Sequence, residues 1–233
     1  MAASELDRKY DAVMAAVTGP GGRVILDKDE QGRTIVANFP ATLPLFFKTF
    51  CALYADVEAV IAGQERLTFG KLDQLSDRMA RGLVARGIGK GDRIGIAMRN
   101  CPGWILSYMA VAKAGAVATL LNGWWQPDEL EHALQLVQPK LVLADAPRAE
   151  RIAATCASCS VDAIAIDKRS PEAFLELLTA GSDDIVLPEV TPDDDATILF
   201  TSGSTGEAKG ALSTHRAVTT GVYAYSTGLM TLR

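Results

Sequence analysis

Apolar and polar positions along this chain follow two rhythms. Between residues 70 and 86, Leu72, Leu75, Met79 and Leu83 fall at i, i+3, i+7 and i+11, which places them on one face of a helix. Gly87 stands where such a helix commonly stops. GIGKGD then reads as a turn, RIGIAM as a short buried strand, CPGWILSYMAVAKAG as an apolar helix and AVATLLN as a strand. Pro127 to Val137 predicts a helix opened by proline, which the first turn tolerates. LVLAD is a strand, Pro147 to about Thr155 a helix, AIAID a strand and PEAFLELLTAG a short helix, with Glu172 near its positive end. The loop TPDDDA leads into a last strand, ATILFTS. Near-continuous apolar strands such as LVLAD and AIAID are the pattern of burial on both faces. The alternation predicts an α/β fold, a largely parallel sheet flanked by helices.

Residues 1–43 break this pattern. The stretch TGPGGRVILDKDEQGR is rich in glycine and charge, with one short apolar run at Val24–Leu26 and weak helical periodicity. Turns and an edge hairpin are expected there. The chain is therefore divided into an N-terminal arm (1–43), an α/β region (44–190), and a strand, glycine-rich loop and opening helix (191–233).

Composition narrows the class. With 48% hydrophobic and 22% charged residues and a net charge of −5, disorder as the main state is excluded. Lys and Arg total 23 against 28 Asp and Glu, without a basic block, so the footprint of a nucleic-acid binder is missing. No apolar run reaches the roughly 18 residues a membrane span needs. The start, MAASELDRKYDAV, is polar and acidic, unlike a secretory signal. Four cysteines, Cys51, Cys101, Cys156 and Cys159, suit a reducing cytoplasm better than a disulfide scaffold. A cytoplasmic chain is the expectation.

Chemistry concentrates after ATILF. Thr201 to Gly210 holds three glycines (Gly203, Gly206, Gly210), four hydroxyl side chains (Thr201, Ser202, Ser204, Thr205) and Lys209. Glycine lets an anion approach backbone N–H groups, hydroxyls donate hydrogen bonds and lysine adds a point charge, a combination suited to a polyphosphate. The loop also leaves the carboxyl end of a strand, where ligands of α/β sheets bind. The P-loop pattern G-x-x-x-x-G-K-[ST] does not fit. Counted from Gly203, its second glycine position is Ala208, and Lys209 is followed by Gly210 rather than by a hydroxyl for Mg²⁺.

The same string, Phe200-Thr201-Ser202-Gly203-Ser204-Thr205-Gly206-Glu207-Ala208-Lys209-Gly210, resembles the phosphate-binding signature of the adenylate-forming (AMP-binding) superfamily. That signature is close to [YF]-T-S-G-[ST]-T-G-x-P-K-G, and only its proline differs, as Ala208. The segment from LTFGKLDQLSDRMARGLVARGIGKGDRIGIAM to KAGAVATLLN is similar to the family's early region, so the resemblance covers roughly 45–233. It implies two-step chemistry on ATP, Mg²⁺ and coenzyme A. A small-molecule carboxylic acid attacks the α-phosphate to give an acyl-adenylate and pyrophosphate, and a thiol then attacks the mixed anhydride. Thr201, Ser202, Ser204, Thr205 and Lys209 would contact phosphate through side chains, with Lys209 and Thr205 in catalytic roles. Gly203, Gly206 and Gly210 would do so through backbone, and His215 would border the substrate.

The resemblance also implies a polypeptide more than twice this length. The family's adenine-binding aromatic segment, ribose-binding aspartate, hinge and C-terminal lid with its lysine are not in the sequence. The expectation is an incomplete large domain: the N-terminal portion of an acyl-CoA synthetase of fatty acid metabolism, inactive by itself. Its open sheet edges would favour homo-oligomers. The alternatives are a non-catalytic nucleotide-binding module and a carrier-protein-charging adenylation domain.

Other chemistry-bearing residues have plainer expectations. His132 is expected on a solvated helix surface. Cys156-x-x-Cys159 has no second pair and no nearby histidine, so structural thiols are expected and no metal site. Trp124-Trp125 is expected to cover a sheet end. Asp193-Asp194-Asp195 is expected as a solvated loop, because adjacent carboxylates repel. For His215 the plainer expectation is a helix-opening residue with one local hydrogen bond.

Overall fold

The structure is a computed structural model that describes residues 4–155, 162–166, 175–181, 183–202 and 208–230. The strands are β1 (Leu26–Lys28), β2 (Thr34–Val36), β3 (Glu58–Ala62), β4 (Glu65–Thr68), β5 (Arg93–Ala97), β6 (Val117–Leu120), β7 (Leu141–Asp145), β8 (Asp162–Ile166), β9 (Asp195–Ser202) and β10 (Ala208–Thr214). The helices are α1 (Glu5–Thr18), α2 (Leu43–Leu53), α3 (Phe69–Ala85), α4 (Pro102–Lys113), α5 (Pro127–Val137), α6 (Ala146–Thr155), α7 (Leu175–Ala180) and α8 (His215–Met230).

One six-stranded sheet, ordered β10-β9-β6-β5-β7-β8, organises the molecule. Its pairings are parallel except for the antiparallel β9–β10 pair. Strand β7 shows why it forms. All five residues of LVLAD are buried. Leu141 and Leu143 join the core built by α3 and α4, while Val142 and Ala144 join the core under α5 and α6. Alternate side chains of an extended strand point to opposite faces, so only a continuous apolar run satisfies both layers. Helix α3 buries Leu72, Leu75, Met79 and Leu83, the four positions read from its periodicity.

The arm departs from expectation. The β1–β2 hairpin is present, but α1 precedes it. Ser4 caps α1 and forms a reciprocal box with Asp7: the Asp7 N–H donates to Ser4 Oγ at 3.1 Å and the Ser4 N–H to Asp7 Oδ2 at 2.8 Å. The helix buries no residue, so its periodicity is weak although its cap is written in the sequence. No helix among the described residues is long and apolar enough to cross a membrane.

Two packing devices hold the α3–α4 layer. Lys113, 4% exposed, donates to Asp73 Oδ1 and Asp77 Oδ1, each at 2.6 Å, and to Ser76 Oγ at 2.9 Å. A buried ammonium is tolerable only when partnered in this way. At Gly82 a Cβ would overlap the Leu177 carbonyl oxygen of α7. We expect Gly82→Ala to destabilise the fold by about 2 kcal/mol. The cost of forcing a methyl against backbone exceeds the roughly 1 kcal/mol gained in helix propensity. An unchanged urea midpoint would contradict the α3–α7 contact.

Candidate functional site

Strand β9 is pinned by burial. Ala196, Thr197 and Ile198 lie inside, and the Thr197 hydroxyl shares a 2.9 Å hydrogen bond with the Tyr108 hydroxyl of α4. Strand β10 returns antiparallel, pairing Ala208 with Ser202, Lys209 with Thr201 and Gly210 with Phe200. The glycine-rich segment thus connects the two antiparallel strands at the carboxyl end of β9, which runs parallel to β6. Gly203, Ser204, Thr205 and Gly206 lie outside the described residues. Thr201 and Lys209 are directly opposed and both exposed, so their side chains share one face of the hairpin. The other face meets α5. At Gly210 a Cβ would lie 3.1 Å from Ile198 Cγ2, so close packing explains that glycine.

Beside the Thr201 and Ala208 ends of β9 and β10 lies a cavity of about 890 Å³, lined by Leu120, Trp125, His132, Phe200, Asp128 and Glu129. Its wall depends on the Asn122–Trp125 turn after β6. Trp125 is buried, its ring edge-on to Phe200 with centroids 4.9 Å apart, so it covers the sheet end as expected. Trp124 is 68% exposed and lies under the Arg99 guanidinium at 4.7 Å, a cation–π contact.

Two arginines of α6 hold this turn, and nothing in the sequence marked them. Arg148 Nε donates to the Gly123 carbonyl at 3.1 Å and Arg151 to the Trp125 carbonyl at 2.9 Å. Arg148 also pairs with Asp145, 2.9 and 2.8 Å from its two oxygens. A Cβ at position 123 would sit 2.6 Å from Arg148 Nε, so a larger residue there would push the guanidinium off the turn. Arginines at i and i+3 on a helix give no cue to their targets, which come from the neighbouring crossover.

One polar expectation changes and another gains detail. His132 is not on a solvated surface: its Nε2 lies 3.2 Å from the Ala208 carbonyl at the stem of the hairpin, and it is half-buried. The reason is that α5 packs on β10, a strand the sequence reading did not contain. The expected solvated loop is present, with Asp193 53% exposed, but its carboxylate and that of Asp194 are ion-paired. Asp193 bonds Arg216 and Arg33 at 3.0 Å each, tying the arm to α8, and these guanidinium bonds, Arg216 first, hold its carboxyl below the usual range. Asp194 pairs with Lys90 at 2.7 Å. No group of three metal-ligating side chains occurs among the described residues. Cys156 and Cys159 lie outside them.

His215 opens α8, but its bond is not local. It is fully buried, and its Nδ1 accepts from the Leu43 N–H at 3.2 Å, across 172 residues of chain. Its Nε2 has no partner. Burial, partly opposed by Asp194, lowers its pKa to about 4. The structure places it in the core between α2 and α8, away from the cavity beside the hairpin.

Comparison with known proteins follows the same lines. The sequence matches the AMP-binding enzyme family over residues 47–232. It is 31% identical over 231 residues to the acyl-CoA ligase SID4 of Ajellomyces capsulatus, covering 89% of this chain and 37% of that protein. To CymA of Salinispora arenicola, named a probable non-canonical nonribosomal peptide synthetase, it is 30% identical over 214 residues, covering 87% of this chain and 3% of that protein. Its fold is similar to the inhibitor-bound N-terminal domain of FACL13 from Mycobacterium tuberculosis, with a TM-score of 0.64 and 26% identity over 75% of this chain and 44% of that one. The chain spans well under half the length of each of these three proteins.

Proposed function

The chain belongs to the AMP-binding enzyme family, and from that premise we propose that it is the segment of an ATP-dependent carboxylate–CoA ligase that grips the nucleotide's triphosphate. One observation carries this reading. A hairpin tip rich in glycine and hydroxyl groups leaves the carboxyl end of a parallel strand, with Lys209 and Thr201 opposed on its exposed face.

Adenylation needs the pyrophosphate leaving group to be stabilised as the bond from the α-phosphorus to the bridging oxygen breaks. Lys209 brings positive charge to the β- and γ-phosphates, and Thr201, Ser202, Ser204 and Thr205 donate hydroxyl hydrogen bonds. Gly203 and Gly206 let backbone N–H groups approach. The carboxylate of a small acid attacks the α-phosphorus, and a thiol then displaces AMP from the acyl-adenylate. Mg²⁺ would share the phosphate charge. Coenzyme A is the favoured thiol, in keeping with the acyl-CoA ligase SID4, and fatty or other bulky acids are the favoured carboxylates. A reducing cytoplasm is the matching setting. The peptide synthetase CymA supports a second reading, with a carrier-protein thiol as the acceptor.

The test uses the complete polypeptide that contains this segment. Hydroxamate trapping across a panel of carboxylic acids identifies the acid, and competition between coenzyme A and carrier protein identifies the thiol. Lys209→Ala is expected to raise the barrier to ATP–pyrophosphate exchange by about 2 kcal/mol, roughly thirtyfold in rate, the scale of a lost charge-assisted hydrogen bond. An unchanged exchange rate would remove Lys209 from the site.

A further inference from the structure

The phosphate-gripping tip hangs on two stems, Ser202 and Ala208, which face each other as the first paired rung below it. The β9 stem is held from below by the buried Ala196–Ile198 run. The β10 stem is held less firmly: β10 is the edge strand of the sheet, Lys209 to Leu212 are exposed, and the half-buried Ala208 side chain packs against the core under α5. Position 208 is alanine, so no proline ring restrains its φ. The polar contact that reaches this stem from another layer is the imidazole of His132, 3.2 Å from the Ala208 carbonyl.

We propose that His132 is a positioning residue for the phosphate-binding hairpin, its Nε2–H fixing the Ala208 carbonyl and, through it, the direction in which Lys209 leaves the stem. A carbonyl only accepts, so the ring carries a proton on Nε2. The anchor itself is rigid. His132 sits on α5 between Leu130 and Ala133–Leu134, all buried, and a capping box at Gln126 and Glu129 closes the helix start. Orienting the peptide plane at Ala208 orients the 208–209 linkage, which sets where the lysine Cα begins. The inference rests on the reading of the tip as a phosphate site, and it concerns placement of the loop rather than contact with the ligand.

The experiment measures binding of pyrophosphate and of ATP, each with Mg²⁺, by calorimetry to the complete polypeptide that contains this chain and to its His132→Leu, His132→Ala and His132→Gln variants. Thermal unfolding verifies that each variant is folded. Glutamine places an amide N–H near the position of Nε2, whereas leucine and alanine offer no donor. Expected are a loss of about fivefold in pyrophosphate affinity for the leucine and alanine variants, the scale of one neutral hydrogen bond, and recovery to within about twofold in the glutamine variant. Trypsin cleavage after Lys209, protected by pyrophosphate in the parent chain, should lose that protection in the leucine and alanine variants alone. Equal affinity in all four proteins overturns the inference and leaves the phosphate site standing. Equal loss in the glutamine and leucine variants also overturns it, because packing rather than the donated bond would then be responsible. Failure of the parent chain to bind either probe overturns the phosphate-site reading, and the inference with it.

Discussion

Replacing Arg148 with alanine is expected to cost about 3–5 kcal/mol of folding stability, the range for stripping one partner from a buried ion pair. Asp145 closes β7 with its side chain 1% exposed, and Arg148 is 12% exposed. The guanidinium covers both carboxylate oxygens, and the Arg99 N–H adds a bond to Oδ2 at 3.3 Å. Without Arg148 the carboxylate keeps its desolvation and loses its main compensation. The Gly123 carbonyl loses a donor in the same step, so the Asn122–Trp125 turn, and the cavity wall with it, should loosen. Arg148→Lys should recover only part of the loss, since an ammonium cannot span two carboxylate oxygens and a carbonyl as a planar fork does. Replacing Asp145 and Arg148 together by leucine should cost less than Arg148→Ala alone, as no buried charge is then orphaned. Urea unfolding followed by tryptophan emission reads both effects. A single variant within about 1 kcal/mol of the parent, against the usual cost of an orphaned buried charge, would refute the account.

Acidification should remove roughly 3 kcal/mol of stability through His215 alone. Its pKa falls from 6.5 to about 4 on folding. Burial in the core is the first cause. The acceptor role of Nδ1 toward the Leu43 N–H reinforces it, because a protonated ring cannot accept that bond. Below pH 6.5 the unfolded chain takes up a proton that the folded chain refuses. The unfolded state therefore binds more protons, and stability declines as pH falls. The contribution is intact above the unfolded pKa and fully lost once pH passes below the folded one. Carboxylates such as Asp193, also lowered by folding, push in the same direction at low pH, so a control is needed. His215→Asn keeps an acceptor near Nδ1 without a titrating ring. Urea midpoints at pH 7, 5.5 and 4.5 should fall more steeply for the parent than for this variant. Parallel curves would show that His215 is not buried neutral.

Both predictions concern groups whose partners are remote in sequence, and that separates the legible from the illegible. The strand that leads into the glycine-rich segment was readable, and the candidate chemistry after it is local: glycines, hydroxyls and a lysine fall within ten residues. Strand β10 was not readable. Its residues are mostly exposed and contain no apolar run, and its existence follows from pairing with β9, which periodicity does not report. Missing β10 hid the role of His132, since that imidazole has meaning only beside Ala208.

Periodicity and composition by themselves determined the helices α3, α4 and α5, the two-sided burial of β7, the largely parallel sheet and the position of the glycine-rich segment after its strand. Those features follow from the neighbours of each residue along the chain. Tertiary structure alone decided that α6 supplies arginines to the turn after β6, that His215 locks α8 to α2, and that α5 reaches the hairpin stem. The physical reason is range: helix and strand preferences act over a few residues, whereas a buried polar group takes whichever partner folding brings within about 3 Å, however distant in sequence.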